Sequence, residues 1–435
     1  MKGIKSRLTI MNFLEFAVWG SYLTSMGGFL ANVGLQEYIG WFYAVQGIVS
    51  LFMPALIGIV ADRFMNAQKV LSLCHLLAAL SMIGVGAYAF SAGNNVSFPI
   101  IFSIYTFSVA FFMPTIGLSN SVAYTALNQA NLDTIKHFPP IRIFGTIGFI
   151  CAMLFVDFLG FQHNAAQFYT SAIIGFILSI YALSLPNCPI SKTPKSNSFI
   201  DTFGLRAFAL FKQKKMAIFF IFSMLLGVSL QITNGFANPF ITAFGSVAEY
   251  ADTFGAKHAN ALISLSQVSE TLCILLIPFF LKRYGIKIVM LISMLAWFLR
   301  FGLFGLGNPG EGVWMFILSM IVYGVAFDFF NVSGSLYVDK ETDSSIRSSA
   351  QGLFMIMTNG IGATIGTLGA QAVINHFVFS QSNINSQLEG WSTSWLIFAG
   401  YALVVAILFA LIFRYKHQPE KLSLQQSNKQ EQYGI

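Results

Sequence analysis

The sequence predicts an all-α membrane protein with twelve transmembrane helices in two six-helix halves, and three observations lead there. Of its 435 residues, 56% are hydrophobic and only 9% are charged. Soluble domains carry roughly 25% charge, so this chain has too few polar groups to coat a water-facing surface. Its apolar runs reach about 20 residues without alternation, which fits spanning helices and not the roughly 10-residue alternating strands of a barrel. The runs fall into six and six around one polar interruption. A soluble enzyme, a nucleic-acid-binding module and a disordered scaffold are excluded.

Span 1, residues 8–30, follows Lys2, Lys5 and Arg7. It is too long for a signal peptide, contains Glu15 and has no small-residue cleavage site, so it is expected to be retained. Span 2, residues 38–60, runs into a short basic turn that includes Gly58, Asp62 and Arg63. Span 3, residues 69–90, carries His75, read as a hydrogen-bonded core residue rather than a proton relay. Span 4, residues 98–124, contains Pro114, which like Pro54 and Pro278 is expected to bend or end its helix. Span 5, residues 139–159, presents Arg142, Thr146 and Phe149 on one face. Span 6, residues 166–185, completes the first half.

Residues 186–215 set Lys192, Lys195, Arg206, Lys212, Lys214 and Lys215 against the single acid Asp201, as a cytoplasmic linker would. Residues 199–211 can form a short amphipathic helix on the membrane surface. Span 7, residues 216–240, presents Gln231 and Asn234 three residues apart. Span 8, residues 259–281, presents Gln267 and Glu270 at the same spacing. It ends at Lys282 and Arg283, a basic turn in the place equivalent to that after span 2. Span 9, residues 286–306, contains Arg300. Span 10, residues 313–335, presents Tyr323 and Phe327 on one face and carries Asp328. In span 11, residues 347–375, Gly360, Gly362, Gly366 and Gly369 are expected to allow close helix packing. Span 12, residues 392–413, precedes a polar, Gln-rich tail expected to be disordered. The domain reading is therefore residues 1–185, a linker at 186–215, residues 216–417 and a tail at 418–435.

With both termini inside, every lysine and arginine except Arg142, Lys257 and Arg300 falls on the inner side, while Glu37, Glu249, Asp252, Glu311 and Glu389 lie outside. The positive-inside rule then places the termini and linker in the cytoplasm. That bias accounts for the net charge of +7 without a nucleic-acid partner. Cys74, Cys151, Cys188 and Cys273 are far apart and lack metal-ligand spacing, so they read as packing residues, with no disulfide or metal expected. No phosphate loop, nucleophile elbow or paired-carboxylate constellation is present, so the chain is not read as an enzyme.

Glu15, Arg142, Glu270, Arg300 and Asp328 fall inside spans, where each ionisable group costs about 2.5–3.5 kcal/mol on insertion scales. Counting along the helices puts Glu270 and Gln231 near mid-depth and Arg142 and Asp328 in the inner part. Arg300 lies toward the outer part, too far in depth to be Asp328's obvious partner. A single Gln or Asn in a membrane helix is ordinarily interhelical glue. Four stripes on helices from both halves, at compatible depths, instead suggest one polar cavity. Periodicity alone leaves Phe149 and Phe327 as packing residues.

The turn at residues 58–63 resembles the GxxxDR signature of the major facilitator superfamily, although Asn66, Ala67, Gln68 and Lys69 replace its basic ending. Residues 138–149, 230–234, 266–271 and 323–331 resemble the bacterial nucleoside:proton symporter family of that superfamily, and its broad-specificity members in particular. The resemblance covers residues 8–417 and is weakest at 245–257, 381–390 and the tail. It implies the major facilitator fold and proton-coupled nucleoside uptake across the bacterial inner membrane. It also implies a cavity lined by Arg142, Thr146 and Phe149 from one half and by Gln231, Asn234, Gln267, Glu270, Tyr323 and Phe327 from the other. Asp328 corresponds to the family's intramembrane acid important for transport, and Glu15 inherits no role.

The chemistry of these side chains suits a nucleoside. Amides both donate and accept, an ionised Glu270 accepts from ribose hydroxyls, and aromatic rings stack on a base. Only a group that can be neutral carries a coupling proton, which leaves Asp328 and Glu270, with Glu15 a poorer third. Arg142 and Asp328, at similar depth in opposite halves, are expected to approach in one conformation and separate in the other. The expected partners are nucleosides and the lipid bilayer, with no cofactor beyond the proton, and the chain is expected to act as a monomer. A narrower xanthosine-like or sugar symporter, or a non-transporting nucleoside sensor of the same fold, are the competing readings.

Overall fold

A computed structural model describes residues 3–93, 95–189, 205–343 and 346–415. In lipid a backbone must satisfy its own hydrogen bonds, and apolar runs of this length do so as helices. The first half comprises α1 (Ile4–Gly20, continued after a break as Met26–Asn32), α2 (Ile39–Ser50 and Met53–Arg63), α3 (Ala67–Ala92), α4 (Phe98–Gln129), α5 (Thr134–Phe158) and α6 (Ala166–Leu183). In the second half α7 is split into Lys214–Leu230 and Ile232–Ala243, and α8 starts as Ala259–Cys273. The following helix, Ile277–Leu306, is broken at Gly285, whose φ of 77° only glycine adopts readily. Its first part completes α8 and residues 286–306 form α9. The remaining helices are α10 (Val313–Glu341), α11 (Arg347–Met355 and Ala363–Ile374, with wide turns at Ile356–Gly362 and Asn375–Phe379) and α12 (Ile384–Ile412). Exposed apolar side chains such as Phe90, Ile180 and Leu411 face outward, as lipid contact requires.

Several expected boundaries shift. α4 and α10 continue to Gln129 and Glu341, past the apolar stretch that hydropathy detects. α12 starts at Ile384 because the Asn383 side chain caps the Asn385 and Ser386 amides. Pro114 lies inside the continuous helix α4 and does not end it, and α5 begins ahead of Pro139 and Pro140. Pro54 and Pro278 do stand in first turns, after breaks. In α11, an added Cβ at Gly362 or Gly366 would meet the backbone of α7, and one at Gly360 would meet Leu51. Gly369 faces open space and makes no close approach.

Of the linker, residues 190–204 lie outside the described residues, as do Lys416 onward and therefore the expected tail. The acid of the GxxxDR turn, Asp62, lies outside the described side chains. The part of the expected amphipathic helix that is described, Leu205–Lys212, is a 3-10 helix. It docks on α7 and α11 with Ala207 and Leu210 buried, rather than lying free on the membrane surface.

The two halves meet on the face away from the termini. There the outer part of α1 packs on the outer part of α7, α2 on α11, and α5 on α8. Every well-packed partner of α4 and α10, by contrast, lies within its own half. The far-face contact is a polar latch. Asp157 on α5 is buried and meets His258 Nδ1 at 2.9 Å while accepting the Asn260 amide at 3.2 Å. Asn238 on α7 donates to Gln162 at 3.1 Å and to Asn260 at 2.9 Å, and Gln162 donates to the Lys257 carbonyl at 2.9 Å. Lys257, the cation that broke the charge pattern, pairs with Asp252 at 2.8 Å, which holds that exposed carboxyl below its usual range. The halves are thus clamped at the far face, and among the described residues no well-packed helix pair joins them at the face bearing the termini.

Candidate functional site

Close helix contacts set the first wall. At Gly20, Gly145 and Gly148 an added Cβ would strike the partner helix, so α1 and α5 lie nearly backbone to backbone. That contact lays the Arg142 guanidinium 3.9 Å above the Phe16 ring. One turn on, Thr146 is half-buried on the same face. Phe149 is 5% exposed and packs edge-on against Trp19 at 6.2 Å, so it supports the wall more than it opens onto a space. Trp19, which periodicity did not single out, also packs on Phe112, and its indole N–H has no acceptor among the described residues.

The second wall belongs to α8 and α10. Gly324 lets α10 lie against Ser269, whose hydroxyl donates to the Ile321 carbonyl. This brings Gln267 into hydrogen-bond reach of Tyr323. Tyr323 stacks on Phe327 (5.6 Å, 22°) and takes the edge of Trp297 at 6.0 Å. Arg300 lies 4.4 Å over the Tyr323 ring and donates to the Ser319 carbonyl at 2.8 Å and to Ser266 at 3.3 Å. Arg300 is therefore tied within its own half, where it fixes Tyr323, and no bond joins it to Asp328, in keeping with their difference in depth.

Gln231 sits at the break of α7 and accepts from Asn234 at 2.8 Å, so these two amides hold each other at the mouth of the broken helix. Broken spans of this kind leave backbone polar groups near the midplane for a bound solute. The charges then link the walls. Glu270 on α8 and Arg142 on α5 lie close enough to interact across the halves, and Arg142 also faces Glu15. Asp328 is 4% exposed, has Glu270 as its charged neighbour, and leaves Oδ2 without a donor among the described residues. In this conformation Arg142 and Asp328 are not paired.

The structure thus brings together Arg142, Glu270, Gln267, Tyr323, Phe327 and Asp328, with Gln231 and Asn234 as a separate couple. Sequence reasoning missed Trp19, Trp297 and the contact of Arg300 with Tyr323. Their only sequence signal was an aromatic or a charge inside an apolar span, and partners from other helices give it meaning. A family profile described as Nucleoside H+ symporter matches residues 1–418. The chain belongs to the nucleoside H+ symporter family.

Among the relatives of this symporter chain is a xanthosine permease of Escherichia coli K12, 46% identical over 96% of this chain and 98% of the relative. Nucleoside permease NupG of the same organism is also 46% identical, over 95% and 97% of the two chains. A solved structure of a NupG mutant superposes with a TM-score of 0.89 at 44% identity, covering 95% of this chain and all of that one. The symporter's fold is therefore that of the major facilitator transporters, and its relatives are permeases, not enzymes.

Proposed function

We propose that this symporter imports purine and pyrimidine nucleosides with protons across the bacterial inner membrane, by rocking residues 1–185 against residues 216–417. The linker at 186–215, the tail at 418–435 and both termini are then cytoplasmic, which makes the clamped far face periplasmic and the present conformation open to the cytoplasm. The observation that carries this reading is the set of Arg142, Glu270, Gln267 and Tyr323 facing one another from both halves beneath a closed far face.

In this reading Glu270 and Gln267 hold ribose hydroxyls, Gln231 and Asn234 trade their mutual bond for base or sugar contacts, and Tyr323 and Phe327 offer a stacking surface. Arg142, Thr146 and Phe149 form the opposite wall. Asp328 carries the coupling proton, with Glu270 next in line, and the carrier works as a monomer. A buried carboxyl oxygen without a donor among the described residues suits a neutral acid, which supports Asp328 as the proton's seat. Uptake of labelled uridine by cells lacking other nucleoside carriers tests the function. It should be saturable and collapse with a protonophore; uptake at background level would refute it. Because the xanthosine permease and NupG are equally similar to this chain, the competition panel includes xanthosine beside uridine and adenosine.

A further inference from the structure

The first half contains a second buried carboxylate for which the transport reading has no use. Glu15 on α1 is 0% exposed, with Oε2 2.8 Å from His75 Nε2 on α3 and Oε1 2.6 Å from Thr115 Oγ1 on α4. His75 is equally buried. Three helices thus close on one acid.

The hydrogen count around it leaves room for an extra proton. Thr115 Oγ1 lies 2.6 Å from Glu15 Oε1 and also 2.6 Å from the Phe112 carbonyl. A hydroxyl has one hydrogen. If it goes to Phe112, the two oxygens of the Thr115–Glu15 contact need a hydrogen that only the acid can supply. On the other side, His75 uses Nε2 on Glu15 and leaves Nδ1 buried without a partner among the described residues. A pocket with room for about one water borders His75, lined also by Tyr22, Ser108 and Ser171. The cluster therefore has seats for a proton at both ends and a place from which it can arrive.

Its electrostatic surroundings are few. Cys74 on α3 and Arg142 on α5 interact with Glu15, and Tyr124 on α4 interacts with Arg142. Neither α4 nor α6 contributes an Asp, Glu, Lys, Arg or His. Arg142 also interacts electrostatically with Glu270 across the halves, so one cation feels an acid of its own half and an acid of the other.

We infer that Glu15 and His75 form a second proton-binding site, seated in the first half, that sets through Arg142 how firmly the cavity's Glu270 is engaged. The proton comes from water and returns to water. With the proton bound, the pair has no net charge and Arg142 is available to Glu270. With it lost, the pair carries one negative charge and draws Arg142 toward α1. This inference rests on the reading of Glu270 as a nucleoside ligand, and Glu15 and His75 are positioning residues in it.

The test uses full-length protein in proteoliposomes. Glu15→Gln keeps the shape and mimics the protonated acid. Uridine affinity of the unmutated protein should fall by up to about tenfold per pH unit as the pair loses its proton, while Glu15→Gln should keep its acid-side affinity through the same range. Asp328→Asn should retain the step. Infrared difference spectra across a pH jump should show a carboxyl or imidazole band that Glu15→Gln abolishes. A pH profile for Glu15→Gln parallel to the parent, or an unchanged infrared difference, overturns the inference. If Glu15→Gln does not fold, His75→Asn, checked by monodispersity, should remove the same step and band, and their persistence overturns it equally. Should the parent not bind uridine at all, the functional reading fails, while the infrared band still decides the proton site.

Discussion

Asp157 is the side chain on which the closed far face can be tested most directly. It is buried between the halves, meeting His258 at 2.9 Å and the Asn260 amide at 3.2 Å, both on the α8 side. When the far face opens, these groups separate into water, so the bonds count only toward the closed state. Asp157→Asn keeps one carbonyl acceptor but loses the charge and a bond. A hydrogen bond to a charged group contributes about 1.5–3 kcal/mol. Removing it from one state shifts the closed-to-open ratio by about 10- to 150-fold.

The readout is access to the cavity from outside. With Cys74, Cys151, Cys188 and Cys273 replaced by Ser, Thr146→Cys serves as a reporter for a membrane-impermeant maleimide added to intact cells. Its initial labelling rate follows the population open to the far side. Asp157→Asn should raise that rate at least several-fold, and saturating nucleoside should change it further. A rate equal to that of the parent, with both proteins folded and inserted, would refute the latch and leave the Asp157 contacts as packing only.

Glu270→Gln and Gln267→Ala should weaken uridine binding by about 10- to 150-fold for the charged contact and less for the amide, measured by equilibrium binding. Free uracil should compete poorly, and effective competition would mean that base contacts dominate. Asp328→Asn should abolish uphill uridine accumulation while counterflow exchange continues. A cysteine at Ser196 should react with impermeant reagent only after the membrane is permeabilised, and labelling in intact cells would invert the topology. Gly148→Ala should lower thermal stability because its Cβ meets the Phe13 backbone, whereas Gly369→Ala, facing open space, should be neutral or stabilising by up to about 1 kcal/mol.

The fold was legible in the sequence because a membrane span must be a continuous apolar run, and twelve of them leave a strong periodic trace. What the trace could not show were the breaks. Gln231 reads as an ordinary polar residue in span 7, yet it is where α7 divides, and nothing in the local pattern distinguishes glue from hinge. Arg142, Gln267 and Tyr323 were visible because helical spacing puts their polar and aromatic stripes on one face. Asp157 was invisible for the opposite reason. It sits at a helix end, where an acid costs little, and only the fold brings His258 to it from the other half. Glu15 and His75 were each seen alone, and 60 residues of separation concealed that they bond to each other.

The charges at mid-depth constrain how coupling can work. A neutral nucleoside gains nothing from the membrane potential, whereas one accompanying proton supplies about 2.3 kcal/mol per 100 mV, enough for about 50-fold accumulation. That gain is kept only if the carrier cannot turn over with nucleoside and no proton. Arg142 and Glu270 attract each other across the halves in the present state, whereas Asp328, beside Glu270, has no cation partner among the described residues. A deprotonated Asp328 would therefore leave one uncompensated charge in a dry site as the halves close over it, which is costly in proportion to its burial. A protonated Asp328 leaves none. In this reading nucleoside binding organises Glu270 and Arg142, the proton neutralises Asp328, and reorientation needs both. Asp328→Asn is neutral in every state and so reorients with nucleoside alone, which turns the symporter into a uniporter. A variant that instead loses exchange along with accumulation would show that Asp328 acts in binding or closure, and the barrier to slippage would then have to be sought at Glu270.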